Sequence, residues 1–285
     1  MLTKKAQTSC LLPGQIESKF RRKLGRHNLC LNLLQIATRS LEKDARESGS
    51  EALYVREKAK EYGFHSLHPE AVSIKSAKSS LFASHIAFIM SSGDVMCKEV
   101  RSSPYIKRLK SEYTNLYYSI NTGDFIKKTV SLVVMASLPP NSRAHQIITE
   151  RTGAVLKKPC FALADYYRLL RNDELHAEGA IESDFEGASR KPDTSLIGNA
   201  YGFQDKSSIG LTSEDALICS KAWQDIAKWL CRNMFNEEEQ QIPELKRRFA
   251  NLQGPRRTTG ARNFMEQAFL FSAVESEAML ATLGW

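Results

Sequence analysis

Apolar residues along this chain recur at helical rather than alternating spacing. Leu29, Leu31, Leu33, Leu34, Ile36 and Ala37 precede a charged stretch, Leu41 to Tyr62, rich in Glu, Lys, Arg and Ala. That pattern predicts a long helix, or two broken near Gly49. Gly63 and Pro69 punctuate a polar connection, after which Leu81, Phe82, His85, Ile86, Phe88 and Ile89 predict a core helix ending before Gly93. Ser103-Pro104 reads as a cap with proline in the first turn, and Ile106, Leu109, Tyr113, Leu116, Tyr117 and Ile120 follow at helical spacing to Gly123. Another helix fits Asp124 to Leu138, stopped by Pro139-Pro140-Asn141, and a polar segment continues to Lys158. From Pro159, the residues Phe161, Leu163, Tyr167 and Leu170 form an i, i+3/i+4 stripe on a helix whose end carries Arg171 to His176. Residues 177–210 hold five glycines and Pro192, which predicts a long loop. Thr212-x-x-Asp215 then opens like a capping box, and Leu217, Ile218, Trp223, Ile226, Ala227, Leu230 and Met234 mark an amphipathic helix. The tail from Pro243 to Trp285 shows two shorter helical patterns split by a basic turn, Gly254-Pro255-Arg256-Arg257. Neither strand pairs nor internal repeats interrupt this, so the fold class is all-α.

A chain of 285 residues buries a substantial core without disulfides. The six cysteines form no C-x-x-C pair, and Cys160, Cys219 and Cys231 lie inside apolar patterns, as expected of reduced thiols in a cytoplasmic protein. No run approaches the roughly 20 apolar residues a membrane span needs; Val130–Pro139 is short and ends in a double proline. Pro13, Gly14, Gln15 and Glu17 interrupt the basic N-terminus, which therefore lacks the apolar stretch of a secretion signal. Neither export nor membrane insertion is expected. Charge is uneven: residues 1–150 carry 23 Lys+Arg against 13 Asp+Glu, and residues 151–285 carry 17 against 19. Five of the eight residues from Lys19 to Arg26 are basic (Lys19, Arg21, Arg22, Lys23, Arg26), a candidate contact for RNA phosphates.

Several kinds of site lack their parts. No glycine-rich loop ends in Gly-Lys-Ser/Thr, no G-x-G-x-x-G follows a strand, and no H-E-x-x-H is present. His65 and His68 are three apart, but no nearby Cys or His completes a metal's ligand set, so they read as a polar loop and neither metal nor other cofactor is expected. What remains is Arg171-Asn172-Asp173-Glu174-Leu175-His176. A chain of this composition yields roughly 0.4 Arg-x4-His pairs by chance, but only roughly 0.015 once Asn must follow the Arg. Arg22-x4-His27, the other such pair, lacks that Asn. In RNA cleavage the 2′-hydroxyl attacks the adjacent phosphorus. A base of near-neutral pKa takes its proton, and a cation holds the charge growing on the phosphoryl oxygens. His176 suits the first role, and Arg171, which grips phosphate bidentately, suits the second. Asn172 stands four residues before His176, on the same helix face, where it can orient the imidazole or the phosphate. Arg171 and His176 are roughly 140° apart on an ideal helix, so they converge only if the helix ends there or a second subunit completes the site. Asp173 and Glu174 read as solvated.

Arg-Asn-x-x-x-His at the end of a helix, followed by a variable loop and a closing amphipathic helix, resembles the HEPN superfamily. The likeness extends loosely from about Leu81 to Phe235 and specifically over Arg171, Asn172 and His176. It implies a HEPN-like helical bundle with N- and C-terminal helical extensions: residues 1–75 as a basic N-terminal extension packing on the core, 76–240 as the core with the motif, and 241–285 as a C-terminal tail. It also implies a metal-independent RNA endonuclease of a bacterial toxin or phage-defence system, acting as a homodimer and restrained by an antitoxin or other defence-system partner. A C2 dimer would set the helices near 160–178 and 212–235 in or beside its interface. Some toxins of the family carry a tyrosine, modified by a partner enzyme, two positions after the His; here Glu178 stands there. The alternative is a non-catalytic HEPN-like RNA-binding or scaffold protein that uses the basic first half.

Overall fold

Among the described residues every regular element is helical, as the apolar spacing predicts. The computed structural model describes residues 11–64, 73–120, 124–176, 194–202, 211–236 and 240–285, and of residues 170–176 and 194–196 the backbone alone. Two compact units are each assembled from separate segments of chain. One combines Met1–Arg21, Ser92–Phe161 and Gln224–Trp285; the other combines Arg22–Ser91 and Ala162–Trp223.

Helix α1, Pro13–Glu47, opens with proline at its first position, where the missing N–H costs nothing. It stops before Gly49, whose φ of +78° suits glycine, and Ser50 then caps α2, Glu51–Glu61. The expected break near Gly49 is therefore present. Helix α3, Ile74–Ser102, departs from expectation by running through Gly93. Met90, Ser92, Met96, Cys97 and Val100 are buried on both sides of that glycine, and their packing outweighs the roughly 1 kcal/mol that glycine costs a helix. Contrary to the expectation that no run is long and apolar enough to cross a membrane, α3 is so by length and composition; half of the qualifying stretch is buried inside the chain, as in a core helix.

The pattern from Ile106 to Ile120 divides into α4, Pro104–Glu112, and α5, Thr114–Ser119, interrupted at Tyr113. Helix α6, Phe125–Ser137, is capped by Asp124, whose carboxylate accepts the Lys127 N–H at 2.8 Å. Every residue from Thr129 to Ala136 is buried. A helix enclosed on all sides belongs to a core, and its two hydroxyls, of Thr129 and Ser131, are satisfied by carbonyls one turn back. Arg143 closes the end of α6: its guanidinium donates to the Met135 carbonyl at 2.9 Å and to the Tyr113 hydroxyl at 2.8 Å. The segment read as polar connection up to Lys158 contains α7, His145–Leu156.

Next come α8, Pro159–His176, α9, Thr194–Tyr201, and α10, Ser213–Asn233. The long loop expected over 177–210 is thus broken by α9, while residues 177–193 and 203–210 lie outside the described residues. Helix α11, Ile242–Arg248, is followed by α12, Gly254–Phe264, a π-helical turn over Met265–Phe269, and α13, Ala273–Leu283. The Gly254-Pro255-Arg256-Arg257 segment, read as a turn, is the first turn of α12, since proline near a helix start is pre-set for it. Gly14 lies so close to the π-helical turn that a Cβ on it would meet the Gln267 carbonyl oxygen at 1.8 Å.

Candidate functional site

The Arg171–His176 segment occupies the last turns of α8, after a stretch in which Cys160, Phe161, Leu163, Ala164, Tyr166, Tyr167 and Leu169 are all buried. That burial fixes the helix that carries the motif. The Tyr167 hydroxyl donates to Asp215 at 3.2 Å, and burial together with the Asp215 charge pushes the phenol well above its ordinary range. Asp215 also accepts from the N–H of Thr212 at 2.8 Å and from its hydroxyl at 2.6 Å, completing the cap of α10 that the sequence pattern predicts. One buried carboxylate thus ties the start of α10 to the body of α8.

The backbone of α8 is helical through His176. At 100° per residue, Asn172 and His176 share a face, while Arg171 and His176 stand roughly 140° apart. Of these three residues the backbone alone is described, so the angles are those of the helix and not of placed side chains. His65, His68 and Glu178 lie outside the described residues.

The basic run from Lys19 to Arg26 is one continuous stretch of α1, and several of its cations are engaged within the chain. Lys19 pairs with Glu99. Arg21 reaches the buried Glu17 at 2.9 Å, and the Lys23 ammonium lies 5.2 Å from the centre of the Phe88 ring. Arg22 and Arg26 are exposed. The run does not form a single uncommitted stripe of positive charge.

Periodicity alone did not reveal a second feature. His27 of α1 and His85 of α3 stack with ring centres 3.9 Å apart and planes 12° from parallel, and Phe88 stacks on His27 at 3.6 Å. His85 is buried, with Nε2 3.5 Å from Asn28 Oδ1, and Asn28 donates to the Ser220 hydroxyl at 3.0 Å. Burial, and then the neighbouring His27, lower the His85 pKa to about 4. Burial and Lys23 lower that of His27. Both rings are therefore neutral at pH 7 and act as packing groups. The sequence pattern placed His85 on an apolar face, which it occupies, but gave no sign that a residue 58 positions away would stack on it. Among the described residues no three His, Cys, Asp or Glu side chains gather as ligands of a metal ion would.

Compared with known proteins, the chain matches no family model, no curated protein and no solved structure.

Proposed function

We propose that this chain is an endoribonuclease of the kind found in bacterial toxin or phage-defence systems, working without a metal and through a site shared by two copies. His176 takes the proton of the attacking 2′-hydroxyl, and Arg171 holds the charge that develops on the phosphoryl oxygens. Asn172, on the His176 face, orients the imidazole. The products are a 2′,3′-cyclic phosphate and a free 5′-hydroxyl, and DNA, lacking the 2′-hydroxyl, is spared.

The observation that carries this reading is the unbroken helix through His176. With Arg171 and His176 some 140° apart, one chain offers a phosphate only one of them, whereas the ends of two α8 helices related by a two-fold axis offer Arg171 of one and His176 of the other. The leaving 5′-oxygen takes its proton from water. A cytoplasmic location and a restraining partner protein belong to this reading.

Mixing two inactive variants tests it. Arg171→Ala and His176→Ala are each expected to be inactive on total RNA, and an equimolar mixture allowed to exchange subunits should recover about a quarter of wild-type activity, because half of the dimers carry one intact site. A wild-type protein that leaves RNA uncut overturns the enzymatic reading in favour of a binding or scaffold role. Cleavage with no recovery on mixing overturns the shared site.

A further inference from the structure

In the unit that carries the motif, a cleft of about 640 Å³ lies between α1, the first turns of α3 and the start of α10. Its size falls within the range of small-ligand pockets. Arg39, Lys75 and Lys78 line it, and no carboxylate does. Lys78 is paired with Glu42 at 2.7 Å, and Glu51, the next carboxylate along, is occupied by the Ile74 N–H at 2.7 Å. Arg39 and Lys75 are exposed and make no ion pair among the described residues; the carboxylates nearest them, Glu42, Glu47 and Glu51, line adjoining clefts rather than this one.

The hydroxyls are divided in the same way. Ser73 and Thr212 cap α3 and α10, so the helix termini are already satisfied by their own side chains. Ser76, Ser79 and Ser80 line the cleft and their hydroxyls make no hydrogen bond among the described residues. Phe82, buried, supplies an apolar wall.

We infer that this cleft binds a terminal phosphate monoester. At neutral pH such a group carries close to two negative charges and three strong acceptor oxygens. That matches two free cations, one of them a guanidinium fork, and three unused hydroxyl donors. An internal phosphodiester carries a single charge and matches the cleft less well. The apolar wall beside the cations fits the sugar or base next to the phosphate. The ligand is a free mononucleotide or the 5′-phosphorylated end of an RNA, and this assignment does not rest on the ribonuclease reading, because its readout is binding rather than cleavage.

The test is calorimetric titration of the full chain with adenosine 5′-monophosphate, adenosine, and a ten-nucleotide RNA carrying either a 5′-phosphate or a 5′-hydroxyl. Binding of the phosphorylated member of either pair at least about tenfold tighter than its counterpart is expected, and the pair that shows it identifies the source. Arg39→Gln combined with Lys75→Gln should weaken that binding at least about tenfold with an unchanged unfolding midpoint. Ser80→Asp, which adds a carboxylate to the lining, should do the same. The inference is overturned if no phosphorylated probe binds at millimolar concentration, if phosphorylated and unphosphorylated probes bind alike, or if both variants bind as the wild type does.

Discussion

The two units treat their polar side chains differently. In the unit built from 92–161 and 224–285 with the start of α1, four arginines are held within the structure. Arg143 is buried against carbonyls and a tyrosine hydroxyl, Arg101 lies 3.7 Å over the Phe125 ring, Arg232 pairs with Glu275, and Arg262 pairs with Glu277 at 2.5 Å. In the unit built from 22–91 and 162–223, two imidazoles are held neutral in a stack, two cations over a cleft have no carboxylate, and the Arg-Asn-x-x-x-His turn ends α8. Leu29, Leu33 and Ile36 are also left 65%, 68% and 66% exposed there. The motif and the cleft both fall in the second unit, and for the proposed chemistry the first is a frame.

Substitutions in the two units should therefore fail in different assays. His176→Ala is expected to lower RNA cleavage by about 10²–10⁴-fold while leaving the urea unfolding midpoint unchanged; Arg171→Lys should also be severely impaired, because the bidentate fork is lost. Loss of stability in His176→Ala would erase the contrast. Gly14→Ala is the converse, since its Cβ would collide with the Gln267 carbonyl. A destabilisation of about 3 kcal/mol is expected in urea melts, with cleavage per folded molecule retained.

The helices of both units were legible where a single apolar face decides the matter. In α10, Trp223, Ile226, Ala227 and Leu230 are all buried as their spacing predicts, as is Met234 just after it, though Leu217 remains 39% exposed. The apolar pattern misleads where packing overrides a local rule, as when α3 continues through Gly93. It misleads too where a run of leucines does not mean a core: of Leu29, Leu31, Leu33, Leu34 and Ile36, only Leu31 is buried. The motif could be found because its residues are adjacent in sequence. The stacked histidines and the cation-lined cleft could not, because each joins residues tens of positions apart through folding alone.

The histidine stack provides a pH-dependent comparison. Unfolded, His85 titrates near 6.5, and folded near 4, because burial and His27 disfavour its charge. The folded state therefore has its full stability above about pH 6.5 and loses it progressively as pH falls towards 4, with Lys23 adding further repulsion to a charged His27. Urea melts should show a loss on the order of 2–3 kcal/mol across that window, and His85→Leu should flatten the slope. A slope that persists in His85→Leu would show that other groups govern acid sensitivity. The smallest effect is expected in the frame: Ser272→Ala removes the capping box of α13 and should cost about 1 kcal/mol at any pH in that range.

The thiols also serve as clocks. Cys97, Cys160, Cys219 and Cys231 are buried, and burial pushes all four thiols up, Cys160 to about 11 and Cys97 to about 12, so almost no reactive thiolate exists in the closed protein. Cys30 is exposed on α1 beside Leu29 and Leu33. A disulfide reagent added to the native protein should modify Cys30 at once and the buried four only as the chain opens around each. Three of those four belong to the frame and Cys219 to the other unit, so peptide-resolved labelling rates would time the opening of each unit without any substitution.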